Sequence, residues 1–174
     1  VSYNTGGGYI STHDCAVTED EKYLFTGDEN TGGHVKVWDI QDYGNINLVA
    51  EYMTNPSHSA HNLYVRPGTD LLIISYYADG TRILDISDPT SPIEVGFFDT
   101  SNLTGVFDGN WGTYAYLQSG HIISSDRQTG LYIFSSPLVE TSSLEWNSCI
   151  TNASLDQSYD QNDINVLQDI INAN

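Results

Sequence analysis

Gly80-Thr81-Arg82-Ile83-Leu84-Asp85-Ile86-Ser87-Asp88-Pro89-Thr90-Ser91-Pro92-Ile93-Glu94-Val95-Gly96-Phe97-Phe98 reads as a strand, a proline-bracketed turn and a second strand. Thr81 to Ile86 is rich in apolar and β-branched residues, which suit a pleated, half-buried surface. Ser87-Asp88-Pro89 breaks the run, because proline fixes φ, lacks an N–H and pushes the preceding residue out of the helical region. Ile93 to Phe98 resumes an extended apolar run and ends before Asp99.

Working outward, variants of this unit lie on both sides. His34-Val35-Lys36-Val37-Trp38-Asp39-Ile40 precedes it and Gly130-Leu131-Tyr132-Ile133-Phe134 follows it. Val37, Ile83 and Ile133 fall into register, as do His13, His61 and Trp111 further upstream in each unit. A recurrence every 40–50 residues or so with about four short strands per unit predicts β-propeller blades. A meandering sandwich explains the coincident registers less well. The expected fold is all-β: about three four-stranded blades of an incomplete propeller, over residues 12–57, 58–106 and 107–137. A serine-rich connector follows at 138–155, then a short helical tail at 156–174.

These same residues resemble a known family. Gly80 to Pro89 and Val95-Gly96-Phe97-Phe98-Asp99-Thr100 look like the LVIVD repeat. With His61-Asn62-Leu63-Tyr64-Val65, Asn110-Trp111 and Gly130 to Ile133, they resemble the C-terminal half of the choice-of-anchor B surface proteins. The resemblance covers roughly Thr12 to Ser135. It implies a secreted or surface-attached β-propeller, and it carries over no catalytic residue.

Composition narrows the function. There are 23 acidic residues against 5 basic ones, a net charge of −18. Such a surface repels phosphate backbones and argues against nucleic acid as a partner. No apolar run approaches the roughly 20 residues of a membrane-spanning helix. The chain opens at Val1, as a processed protein or a piece of a longer one would. Cys15 and Cys149 lie near opposite ends of the chain without a CxxC pair. They are candidates for a disulfide in an oxidising compartment. Asn102-Leu103-Thr104 and Asn152-Ala153-Ser154 fit the glycosylation sequon.

Equivalent first-strand residues of successive blades converge around a propeller axis. His13, Asp14, His61, Asn62, Asn110 and Trp111 are therefore the candidate ligand-binding residues. Imidazoles beside carboxylates suit zinc or a related ion, while a histidine there equally serves to bond a neighbouring blade's backbone. Calcium is the other candidate cofactor. Asp28, Glu29, Asp79 and Asp126 occupy loops after the second strands, where they serve as metal ligands or as turn residues. Asp156, Ser158 and Asp160 match the first three ligand positions of a dockerin-type calcium loop, but Gln161 stands where its glycine belongs. Tyr76, Tyr77, Tyr114 and Tyr116 offer a carbohydrate-stacking surface or core.

No GxSxG, HExxH or phosphate loop is present. The sequence thus points to a binding and assembly module whose partners are other protein chains, through self-association or completion of the propeller, and a cell-surface component or carbohydrate. The alternative is a metal-dependent extracellular hydrolase with a central His/Asp site. Three blades do not close a propeller, so an unpaired edge is expected.

Overall fold

The computed structural model describes residues 11–138. Eleven strands form three antiparallel sheets: β1 (Thr12–Val17), β2 (Tyr23–Asp28), β3 (Val35–Asp39) and β4 (Asn47–Tyr52); β5 (Asn62–Arg66), β6 (Leu71–Ser75), β7 (Thr81–Asp85) and β8 (Ile93–Phe98); β9 (Asn110–Tyr114), β10 (His121–Asp126) and β11 (Gly130–Ser135). Within each sheet the strands follow chain order as a meander. Each sheet is a propeller-like blade.

The repeat register expected from the sequence is visible in the pairing. Phe25 faces Val37, Ile73 faces Ile83, and Ile123 faces Ile133. A bulge falls at the same place in two blades, between Val37 and Trp38 and between Ile83 and Leu84. Gly80 makes the second-blade turn with φ of 75°, where a Cβ would collide with the Phe98 carbonyl oxygen. Only glycine fits both demands.

Two apolar layers hold the blades together. Phe25, Val35 and Val37 of the first blade pack on Leu63, Leu72, Ile74 and Leu84 of the second. Ile73 and Ile83 of the second blade pack on Ala115 and Ile122 of the third. The middle blade is therefore covered on both faces, and every residue of β6 is buried. The third blade alternates between buried and exposed residues along β10, the pattern of a sheet covered on one side.

The third blade departs from expectation. It has three strands rather than four among the described residues, in the order β11-β10-β9. Ser136-Pro137 ends β11, and proline cannot donate to a ladder. The tail helix expected over 156–174, with Asp156, Ser158 and Asp160, lies outside the described residues, as do Cys149 and Asn152. Cys15 is exposed on β1, and Asn102 is exposed between β8 and β9.

Polar side chains fasten each innermost strand to the next. The Asp14 carboxylate of β1 accepts from the Leu63 N–H (2.7 Å) and from Asn62 Nδ2 (3.1 Å) in β5. Buried Arg66, at the end of β5, donates to the carbonyls of Ala115 and Leu117. Between the second and third blades, Ser75, Thr81, Asn110, Thr113 and Ser124 share a buried hydroxyl and amide network.

Removing the Asp14 acceptor leaves the part-buried Leu63 N–H without that partner. Asp14→Ala is expected to lower stability by about 1–3 kcal/mol. Asp14→Asn, which keeps one carbonyl oxygen, should lose less. Urea unfolding of the three proteins measures the difference.

Candidate functional site

The inner end of the first two blades brings His13, Glu29 and His61 together. Their ligand atoms lie within 4.8 Å of one another, the one such group of three among the described residues. His13 Nδ1 is 3.2 Å from Glu29 Oε2, and His61 Nε2 is 3.8 Å from Glu29 Oε1. The two imidazoles stack, with centroids 4.4 Å apart and planes at 20°.

Local backbone irregularity aims these side chains. In β1, Thr12 pairs with Asp28 and Asp14 with Gly27, so His13 is the extra residue of a bulge. In β9, Asn110 pairs with Asp126 and Gly112 with Ser125, so Trp111 occupies the same bulge position. A bulge bends its strand and redirects the inserted side chain. His61 immediately precedes β5, where its N–H bonds the Ser75 carbonyl (2.9 Å). The pairing thus makes His13, His61 and Trp111 spatial equivalents in three blades.

His61 is buried, at 3% exposure, and its ring packs against Tyr77 (4.9 Å) and Trp111 (4.6 Å). Its Nδ1 lies 2.5 Å from the Trp111 carbonyl oxygen. A carbonyl only accepts, so Nδ1 carries the hydrogen, and in the neutral ring the Nε2 lone pair faces Glu29. Burial pushes the His61 pKa down and the neighbouring His13 adds to this, while the bond to Trp111 and the Glu29 charge pull back upward. The net shift is downward.

Glu29 is held from the other side by the Tyr77 hydroxyl, which donates to Oε1. Tyr77 reaches it from a backbone with φ of 33°, a left-handed conformation costly for a bulky residue. Its carbonyl accepts from the Asn110 N–H of the third blade at 2.9 Å and from the Gly80 N–H at 3.0 Å. Burial, then Glu29, drives the Tyr77 phenol above its usual range, so it stays a donor. Arg127 lies over the Trp111 ring, 5.2 Å from its centroid, at the edge of the cluster.

The remaining first-strand candidates have other roles. Asp14 and Asn62 bond each other and the Leu63 backbone, as described above. Asn110 is fully buried, giving its amide nitrogen to Thr81 (2.6 Å), while its Oδ1 has no protein partner. Trp111 contributes its carbonyl to His61 and exposes its indole.

The carboxylates expected to share a calcium rim are each engaged locally. Asp28 accepts from Lys36 Nζ (2.6 Å) in a buried ion pair and from Thr12 Oγ1 (3.0 Å). Asp79 accepts from His58 Nδ1 (2.8 Å) and Thr54 Oγ1 (2.5 Å). Asp126 accepts from Thr100 Oγ1 (2.6 Å) and from the N–H groups of Gln128 and Thr129 (2.8 Å each). Asp28 and Asp126 are equivalent by register, whereas Tyr76 holds that position in the second blade. Tyr76 and Tyr77 are buried; Tyr114 and Tyr116 are exposed and meet edge to face at 5.4 Å.

Strand alternation is the signal that separates Asp28 from Glu29. Consecutive residues of an extended chain point to opposite sides, so one turns into the blade toward Lys36 and the other to the axis. The contribution of Tyr77 had no comparable signal, since it depends on an unusual φ.

Residues 76–100 match the LVIVD repeat family. The match spans the Tyr76–Gly80 turn, β7 and β8, so the LVIVD repeat here is the outer half of the middle blade together with the turn that carries Tyr77. No curated protein matches the chain.

Burial raises the pKa of Asp126, but the bonds from Thr100, Gln128 and Thr129 outweigh it and hold the carboxyl below its ordinary 3.8. Its folded value being depressed, it contributes full stability above 3.8 and loses that contribution as pH falls through the folded value. Asp126→Ala is expected to be less stable than the parent by about 1–3 kcal/mol near neutrality. That gap should narrow as pH falls below 3.8 and through the depressed folded value, as urea unfolding across a pH series would show.

Proposed function

We propose that this chain is a secreted or cell-surface β-propeller module whose work is binding and assembly, with a further blade from a second copy covering its open face. One observation carries the reading. Tyr64, Ile73 and Ile83 are cross-strand neighbours on the face of the second blade that packs on the third. Tyr114, Ile123 and Ile133 are their equivalents in the third blade, on the face turned away from the second.

That face keeps the residue types of a blade–blade contact, and no blade covers it among the described residues. Tyr114 is 51% exposed, Ile133 44% and Leu131 42%, whereas Ile73 and Ile83 are at 0% and 3%. Covering the remaining exposed half of each such side chain is worth about 1 kcal/mol. The complementary surface is on the first blade, where exposed Val17 and half-buried Leu24 stand at the positions of Val65 and Leu72. A head-to-tail contact of this kind is heterologous, so it closes into a ring or continues as a filament. The strand β11 offers a second route, since its outer edge pairs with no strand among the described residues. The acidic composition, the sequons and the resemblance to surface proteins are the grounds for an extracellular setting.

Sedimentation of the purified chain over a concentration series tests the reading. Self-association is expected, and Leu131→Glu with Ile133→Glu should return the chain to a folded monomer, since both side chains are exposed. A parent chain that stays monomeric up to about 100 μM would remove the second copy as the occupant.

A further inference from the structure

We infer that His13, Glu29 and His61 form a site for a divalent transition ion of the zinc class, joining the first blade to the second. A tetrahedral ion bound at about 2.0–2.2 Å holds its nitrogen and oxygen ligands roughly 3.4 Å apart. His13 Nδ1 is 3.2 Å from Glu29 Oε2 and His61 Nε2 is 3.8 Å from Glu29 Oε1, and one ligand atom from each residue lies within 4.8 Å of the others. To aim its nitrogen at the ion, His13 would turn out of its stack on His61, where the ring planes lie at 20°, and its 35% exposed side chain has room to do so.

Three features go beyond proximity. The Trp111 carbonyl takes the Nδ1 hydrogen of His61, which sets the tautomer that presents Nε2 as a ligand. Histidines at metal sites are oriented by such a bond from their second nitrogen. The Tyr77 hydroxyl anchors Glu29 in the same way. Finally, Nε2 of neutral His61 and Oε1 of Glu29 are both acceptors, facing one another beside a buried ring. Two acceptors so placed gain from a cation between them.

Two imidazoles and one carboxylate suit zinc, cobalt, nickel or copper and not calcium, which takes oxygen ligands. Three protein ligands leave a position open for water or a bound group. Trp111 packs on the His61 ring, and Arg127 lies over the Trp111 ring. Because His13 and Glu29 belong to the first blade and His61 to the second, the ion would fasten the blades and raise the melting temperature.

The test is titration of the full chain with Zn²⁺ against a chromophoric chelator, with Co²⁺ absorption and thermal unfolding as further readouts. One equivalent should bind, Co²⁺ should give a tetrahedral visible band, and excess Ca²⁺ should not compete. Glu29→Gln and His13→Ala, which alter partly exposed side chains, should each weaken binding by more than about tenfold and abolish the rise in melting temperature. His61→Ala should do the same, with circular dichroism checking its fold. Cys15→Ser and Asp88→Asn should leave binding unchanged. Absence of stoichiometric binding overturns the site. So does binding that survives Glu29→Gln and His13→Ala, depends on Cys15, or yields to Ca²⁺. The result is independent of self-association, which has its own variants.

Discussion

The arrangement depends on how the innermost strand of each blade has its unpaired edge satisfied by side chains of the adjoining blade. A blade satisfies its own ladder only between its strands, so β1, β5 and β9 each present backbone groups toward the axis. Asp14 accepts from the backbone of β5, His61 donates to the Trp111 carbonyl, and Arg66 donates to Ala115 and Leu117. A buried backbone group without a partner costs as much as a lost hydrogen bond. These contacts therefore set the spacing of the blades as firmly as the apolar layers do.

The candidate site follows from the same constraint. His61 is oriented because its Nδ1 serves the neighbouring blade, which leaves Nε2 for the axis. Tyr77 is oriented because its carbonyl receives the Asn110 N–H, which places its hydroxyl on Glu29. Inter-blade fastening and site geometry share residues, so the cluster is a product of blade stacking. Most of the chain's many carboxylates sit outside it. Asp14, Asp28 and Asp126 are engaged by protein donors.

Much of the fold is legible in the residues. The spacing of Val37, Ile83 and Ile133 identifies the repeat, because equivalent positions must meet equivalent neighbours. Pro89 and Pro92 mark the turn before β8 through their fixed φ. That the third blade shows three strands among the described residues was not legible, since nothing local decides whether a blade finishes. In the site, His13, His61 and Trp111 are readable as a register. The inclusion of Glu29 with them, and the exclusion of Asp14, are not. Asp14 and His13 are neighbours whose roles are divided by a bulge, and a bulge is a property of two strands together.

The sequence by itself determined the all-β class, the blade period and the residues that would approach the axis. Each of these follows from local alternation, turn chemistry and repetition. Only the tertiary structure decided which carboxylate joins the histidines, which nitrogen of His61 is available, and which blade face is left open. Those depend on contacts between residues some 50 positions apart, such as His61 with Trp111. The Gly80 to Phe98 unit shows the division: its strands and turn are written in its residues. The burial of Ile83 and the exposure of its equivalent Ile133 are written in the presence or absence of a neighbouring blade.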